Sequence, residues 1–325
     1  MILARLILVV LLQVFVLNSW VKAWAYPERP VTIVVPYAAG GGIDVIARMM
    51  AQRFSEKLGK PFVVENRLGA GGVIASTFVA RAPADGHTLL LASDAQFAIQ
   101  VPLRKNLPYN PAKDFAPIAI TGSTPFALVV NPAVPAKSLS EFIALAKSKP
   151  DDLTYGSSGV GGTPHLVMEM FKIMSGTKLQ HIPYKGTAQA LNDIISGTIP
   201  VMFAGLTGVP SLLDSGKLRA LGVSSTSRLK VLPSIPTIAE AGLPGFEAFG
   251  FVILAAPAGT PSSIINRLSS ELSDFNNAPG VQERYDRIGY LTERSPPPEE
   301  LVKFIEKQIV VWTDVVSKAG LLHSQ

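Results

Sequence analysis

A chain of 325 residues, 48% of them hydrophobic, is long enough for two domains with sizeable cores. It has no cysteine, which excludes disulfides, thiolate chemistry and acylation at a lipobox cysteine; its formal charge of +5 comes without a Lys/Arg cluster, so nucleic acid is not implied. A disulfide-free exported chain of this size suits a bacterial periplasm.

Export is signalled at the start. Met1–Arg5 carries one positive charge, Leu6–Leu17 is almost wholly apolar, and Ala23-Trp24-Ala25 is a small-x-small pattern, so a signal peptide cut after Ala25 is expected. The apolar run is short for a membrane anchor, and no later stretch suits a span. Val31–Pro36 then reads as a strand and Tyr37–Gly42 as a loop of alanine and glycine. From Ile43 the apolar residues Ile46, Ala47, Met50, Phe54 and Leu58 fall at helical spacing. The first turn of such a helix has unpaired N–H groups and a positive dipole end, and a loop without side chains lets an anion approach them.

The unit recurs loosely. Pro61–Glu65 is a strand, Asn66–Gly72 a second glycine loop, Val73–Ala82 a helix and Thr88–Ala92 a strand ending in Ser93-Asp94. After a proline-bearing loop, Ala116–Ile120 and Ala127–Val130 are two extended pieces. Ser138 caps a helix over Leu139–Lys149 with Glu141 in capping-box position. Strand Leu153–Tyr155, a third small-residue loop over Gly156–Pro164, and helix His165–Ser175 follow. Further strands fall at Leu179–Ile182, Ile199–Ala204, Leu218–Ser224 and Ala248–Ala256. Helices fall at Ala188–Ser196, Val209–Ser215, Ser262–Asn276, Gly280–Ile288 and Glu299–Ala319, the last with a stripe of Leu301, Phe304, Ile305, Ile309 and Trp312. Alternation of this kind predicts an α/β fold with mostly parallel sheets. No low-complexity linker separates the two series, so the chain should cross between domains through ordered strands.

Several chemistries are excluded by spacing. There is no G-x-x-x-x-G-K-[ST], no G-x-G-x-x-G and no H-E-x-x-H; Gly156-Ser157-Ser158-Gly159 lacks the last glycine of G-x-S-x-G. The four histidines are scattered, so neither a metal nor a cofactor is expected. A Ser157 or Ser158 nucleophile with His165 is conceivable, but nothing marks an acid to orient it. What remains is three glycine loops, each following a strand and opening a helix, where open α/β sheets bind ligands. Converging helix starts suit a small carboxylate. Asp44 either sits in the first turn to suit the dipole or orders the loop and holds ligand or water. Arg67 and Lys185 are the nearest loop cations, salt-bridged or ligand contacts, and Tyr37 and Tyr184 are wall residues or strand-end packing.

The segments YPERPVTIVVPYAAGGGIDVIARMMA, VVENRLGAGG, ADGHTLLLAS, LPYNPAKDFAPIA, SSGVGGTPHL, HIPYKGTAQALNDIISG, GKLRALGVSS, LPSIPTIAEAGLPGFEAFGF and APAGTP stand in an order and spacing that resemble the Bug family, the periplasmic solute-binding receptors of tripartite tricarboxylate transporters. The resemblance implies a two-lobed, type II-like periplasmic-binding fold. Lobe one would be residues 26–123 plus 247–325, and lobe two 124–246. It implies a monomer that binds a dicarboxylate, tricarboxylate or aromatic acid, serves membrane transporter subunits, and makes or breaks no bond. The contacts expected on this basis are Tyr37, Ala38, Ala39, Gly41, Gly42, Asp44, Ser93, Ser157, Ser158, Thr163, His165 and Ala204. Departures from the family pattern are Leu68 for a common proline, Ala75 for a frequent glycine, and Pro200 and Ala204 where acids are frequent. The missing acids favour a plain carboxylate or aromatic acid over an amino acid. Alternatives are a sensor input, an orphan receptor without a permease, and a hydrolase using Ser158 and His165.

Overall fold

The computed structural model describes residues 26–184, 186–292 and 294–325. The expected signal peptide and the loop cation Lys185 lie outside the described residues. In chain order the elements are β1 (Val31–Val35), α1 (Gly42–Leu58), β2 (Phe62–Asn66), α2 (Val73–Ala80), β3 (Thr88–Ser93), α3 (Gln100–Leu103), β4 (Phe115–Val130), α4 (Leu139–Ser148), β5 (Thr154–Ser157) and α5 (Thr163–Ser175). Then come β6 (Gln180–Pro183), α6 (Thr187–Ser196), β7 (Val201–Gly205), α7 (Val209–Asp214), β8 (Arg219–Val223), β9 (Phe249–Pro257), α8 (Ser262–Asn276), α9 (Val281–Arg287) and α10 (Pro298–Lys318).

The strands run β2-β1-β3-β9-β4-β7-β5-β6, with β8 also on β4. Two blocks are parallel, β2-β1-β3 and β7-β5-β6. The pairings of β4 and β9 with each other and with β3, β7 and β8 are all antiparallel, so the sheet is mixed. The long apolar runs alternate faces, as strands covered on both sides must. Val252, Leu254 and Ala256 enter one core with α1 and α8, while Phe251, Ile253 and Ala255 enter another with α2 and α10. Farther along β4, Phe126, Leu128 and Val130 face α4 and α5, and Ala127 and Val129 face α6 and α7.

Ala116–Ile120 and Ala127–Val130 are both extended as expected, and the residues between them are extended too, so that one 16-residue strand, β4, holds both. Gly122-Ser123-Thr124-Pro125 looks like a turn, yet it pairs with β9, Gly122 opposite Val252 and Pro125 opposite Phe249. Register shifts at Pro117/Ala119 and Ile120/Gly122 absorb the irregularity. Pro125 stands at the end of the ladder, where its missing N–H costs least. Thus β4 and β9 carry the chain between the lobes.

The last helix does not stay with one lobe. Leu301 and Ile305 are buried with the β9 core, Trp312, Val315 and Val316 with the core of the middle segment, and Ile309 packs against both. Among the described residues no helix is long and apolar enough to cross a membrane. Trp312 is 3% exposed. Its replacement by Ala should cost about 3–5 kcal/mol in urea unfolding, the range for emptying a large aromatic site.

A candidate ligand site between two helix starts

Tyr37 leaves β1 and fixes the first glycine loop to the end of β3. Its hydroxyl bonds to Ser93 Oγ (2.7 Å) and donates to Gln96 Oε1 (2.6 Å). Burial pushes the Tyr37 phenol up to about 12 against these bonds. Gln96 also accepts the Ser93 amide and donates to Gly71 O (2.7 Å), so one carboxamide joins the first two glycine loops to the end of β3.

Asp44, buried in the first turn of α1, collects donors from the loop itself. Its Oδ2 accepts from Gly40 N (2.8 Å) and Arg48 Nε (2.9 Å), and its Oδ1 from Asn66 Nδ2 (2.8 Å). Asn66 also donates to Tyr37 O (3.0 Å). Burial alone would raise the Asp44 carboxyl, but Arg48, Gly40 and Asn66 together hold it below the ordinary carboxylate value. Of its two expected roles, the geometry matches the ordering of the loop. Ala38, Ala39 and Gly41 are exposed, and the N-cap Gly41 has no side-chain cap. Gly42 is required for packing, since a Cβ there would lie 2.4 Å from Tyr290 Cε2.

Helix α5 opens from the facing loop, also without a side-chain cap, at Gly162. Thr163 Oγ1 donates across the interlobe cleft to Asp94 Oδ1 (2.9 Å). Asp94 is completely buried, and its Oδ2 has no hydrogen-bond partner among the described residues. That burial pushes its carboxyl up to about 7, against the pull of the Thr163 and Ser93 hydroxyls and the Ala95 and Asp94 amides. The lobes also meet at the end of β7. Thr207 Oγ1 donates to Ile288 O, and Gly289 (φ +72) sits where a Cβ would lie 2.5 Å from Leu206 Cβ.

Other expected residues lie elsewhere. Ala204 is fully buried among Ala127, Met202 and Ile194, so its side chain packs in a core. His165 is buried, accepts Gly161 N at Nδ1 (3.1 Å) and stacks on His181 with centroids 4.0 Å apart. It therefore does not pair with Ser158. The serine that meets a histidine is Ser157, 2.6 Å from His181 Nε2, and its hydroxyl is also bonded to Gly159 O and N within its own loop. Burial first, with Lys172 adding to it, holds His165 down to about 4; burial first, with His165 and Lys172, holds His181 down to about 3. Ser158 is half-buried on the loop. Arg67 is held by Glu65 and lies over the Phe78 ring, and Tyr184 donates to Asp193. A cavity of about 690 Å³ beside Ala119 and Asn276 touches none of these loops. Sequence reasoning missed Asp94, Gln96 and Tyr290. Asp94 alone gave a signal, a lone acid at the carboxyl end of an apolar strand.

Two α/β units joined by the long strands β4 and β9, with glycine-bordered helix starts after the parallel strands β1 and β5, have the architecture of a solute-binding receptor of the periplasmic-binding type. Within that class the chain belongs to the tripartite tricarboxylate transporter family of receptors, whose model matches residues 46–321. It is 36% identical to protein BugT of Bordetella pertussis over 301 residues, 92% of each chain. Among solved structures it is similar to R. palustris Rpa4515 with adipate (35% identity, TM-score 0.83, covering 91% of this chain and 98% of that one). It is also similar to MatC from Rhodopseudomonas palustris with bound malate (34%, TM-score 0.80, covering 90% and 100%).

Two outcomes follow from the charges. Asp44→Asn should lose about 1–3 kcal/mol of stability at pH 7, because it removes a buried acceptor from charged and amide donors. Since the folded carboxyl titrates below its unfolded value, that gap should narrow as the pH falls below about 4, checked by urea unfolding at each pH. The histidines act in a higher window. Both are held neutral when folded, so between about pH 6.5 and 4 the unfolded chain takes up protons the folded chain refuses, and stability falls with pH. His181→Gln, which keeps a partner for Ser157, should roughly halve the slope of that fall.

Proposed function

We propose that this chain is a periplasmic receptor that captures a small carboxylate between its lobes and presents the closed form to membrane transporter subunits. The observation that carries the reading is the pair of helix starts without side-chain caps, α1 at Gly41 and α5 at Gly162, both tied to the end of β3, the first loop through Tyr37–Ser93 and the second through Thr163–Asp94. Each start offers N–H donors and a positive dipole end without a buried cationic side chain. The adipate and malate held by Rpa4515 and MatC support a dicarboxylate as the class. Main-chain groups of Ala38, Ala39, Gly41 and Gly42, with Tyr37, Ser93, Ser158 and Thr163, form the ligand wall. Asp44 rigidifies that wall and does not touch the ligand. Hydrolysis is disfavoured because Ser157 is buried and its hydroxyl is engaged in its own loop, and His181 stacks on both Tyr155 and His165 with no carboxylate bonded to it among the described residues.

A thermal-shift screen of succinate, malate, adipate, citrate, benzoate and glutamate tests this. A captured acid at one hundred times its dissociation constant should add about 2.7 kcal/mol of stability. Gly41→Trp should abolish the shift while leaving the unliganded melting temperature in place, since a side chain there projects from an exposed loop. An absence of any shift across the acids would remove the carboxylate reading.

A further inference from the structure

We propose that Asp94 binds the captured carboxylate as a carboxylic acid, its Oδ2 donating a hydrogen bond to the anion while Oδ1 keeps the Thr163 hydroxyl of the opposite lobe. This rests on the carboxylate reading above and adds to it a proton taken up with each ligand.

Asp94 is fully buried at the meeting point of both lobes and both crossing strands. A Cβ on Gly250 of β9 would lie 3.7 Å from Asp94 Oδ1 and 3.0 Å from Thr124 Cγ2 of β4, and Thr163 comes from the start of α5. The charge of Asp94 is felt by Tyr37, at the start of the loop before α1, and by Tyr290, whose ring covers Gly42 at the head of that helix. Asp94 therefore stands between the two helix starts that would hold an anion. One of its oxygens is satisfied, and the other has no partner among the described residues, a costly state for a native carboxyl that a ligand would relieve.

The chemistry then selects the protonation state. An ionised Asp94 would only accept, and it would repel the anion that the helix starts attract; two carboxylates at one site do not both ionise. A protonated Asp94 is a donor on Oδ2 and an acceptor on Oδ1, which matches Thr163 on one side and an anion on the other. The groups facing it bring no cation: the Thr163 and Ser93 hydroxyls and the Ala95 and Asp94 amides favour the charged form, but less than burial opposes it. From the β1 loop and the segment after α9 come the phenols of Tyr37 and Tyr290, both pushed up by burial. From β4, β9 and α5 come Thr124, Phe126, Gly250 and Thr163, none of which titrates, and no ion pair among the described residues includes Asp94. The carboxyl, pushed up to about 7 by burial, is ready as a donor in acid and must take one proton from solvent to bind ligand above that pH; the proton returns to solvent on release.

The test uses the whole receptor with succinate, malate and adipate, continuing with whichever shifts the wild type most. Calorimetry from pH 5.5 to 8.5 should give a wild-type affinity that is flat below about pH 7 and falls about tenfold per pH unit above it. Titration at pH 8 in buffers of different ionisation enthalpy should count one proton taken up. Asp94→Asn, whose amide can accept from Thr163 and donate to the ligand, should bind with a flat profile and at pH 8 at least as tightly as wild type. If no acid shifts the wild type at any pH, the carboxylate reading falls and this one with it. If the wild type binds but Asp94→Asn keeps the wild-type slope, or folds and binds more than tenfold weaker at pH 6, Asp94 is not the donor. If Asp94→Asn does not fold, the wild-type proton count decides, and a count of zero overturns the proposal.

Discussion

The antiparallel ladder between β4 and β9 carries the chain from one lobe to the other and back, with Phe115 opposite Pro257 at one end and Pro125 opposite Phe249 at the other. Because β4 then goes on to pair with β7 and β8, the lobes are joined by backbone hydrogen bonds and not by a flexible linker. Strand alternation sends successive residues of these two strands into cores on opposite faces. That continuity lets donors on separate lobes converge on one point, since a loose connection would leave the two glycine loops without a defined separation.

The electrostatics of the cleft follow from what is already engaged. Of the described cations at the first two glycine loops, Arg48 and Arg67 are bound to Asp44 and Glu65, and Arg104 donates to Ala70 O, Gln100 Oε1 and Gln325 Oε1. Attraction for an anion is left to peptide dipoles, which are fixed by the fold and need no reorganisation when charge arrives. Asp44, Asn66 and Gln96 do the fixing. Each bonds to a glycine or tyrosine of the loops, so the main chain of the first two glycine loops is held in place by these side chains. The cost is an acid, Asp94, placed in the same neighbourhood with one oxygen unpaired.

Most of the elements were legible because their periodicity was strong. The bounds of α8 read from sequence match those observed, and α1, β3 and α10 differ by a residue or so. The stripe on α10 was legible too, but not that its two ends serve different cores, since a pattern of apolar positions does not name their partners. The crossing strand was split in two because Gly122 and Pro125 carry turn signals that tertiary pairing overrides. The π-helical and helical stretch Ala95–Leu103 went unread because it follows β3 with no glycine loop between, although Ser93 and Asp94 are residue types that favour a helix start. At the site, the first glycine loop and the Thr163 start were visible as composition. The inward turn of His165 and Ala204 was not, because a histidine beside a loop and an alanine at a strand end look alike whether they face ligand or core.

Helix α10 is a third tie between the lobes, rigid along its length, and it packs on the Ala95–Leu103 segment just after Asp94. Two strands alone would permit twist and slide; a helix anchored in both cores suppresses these and leaves rotation about a line close to the site. On the receptor reading proposed above, the molecule would work as a lever with its fulcrum beside the ligand. Groups at the centre, such as Asp94 and Thr163, would then travel little, while the outer residues of each lobe would sweep through a longer arc. A displacement at the fulcrum too small to disturb the packing becomes a change of outline at the rim, where another protein can read whether a ligand has been caught.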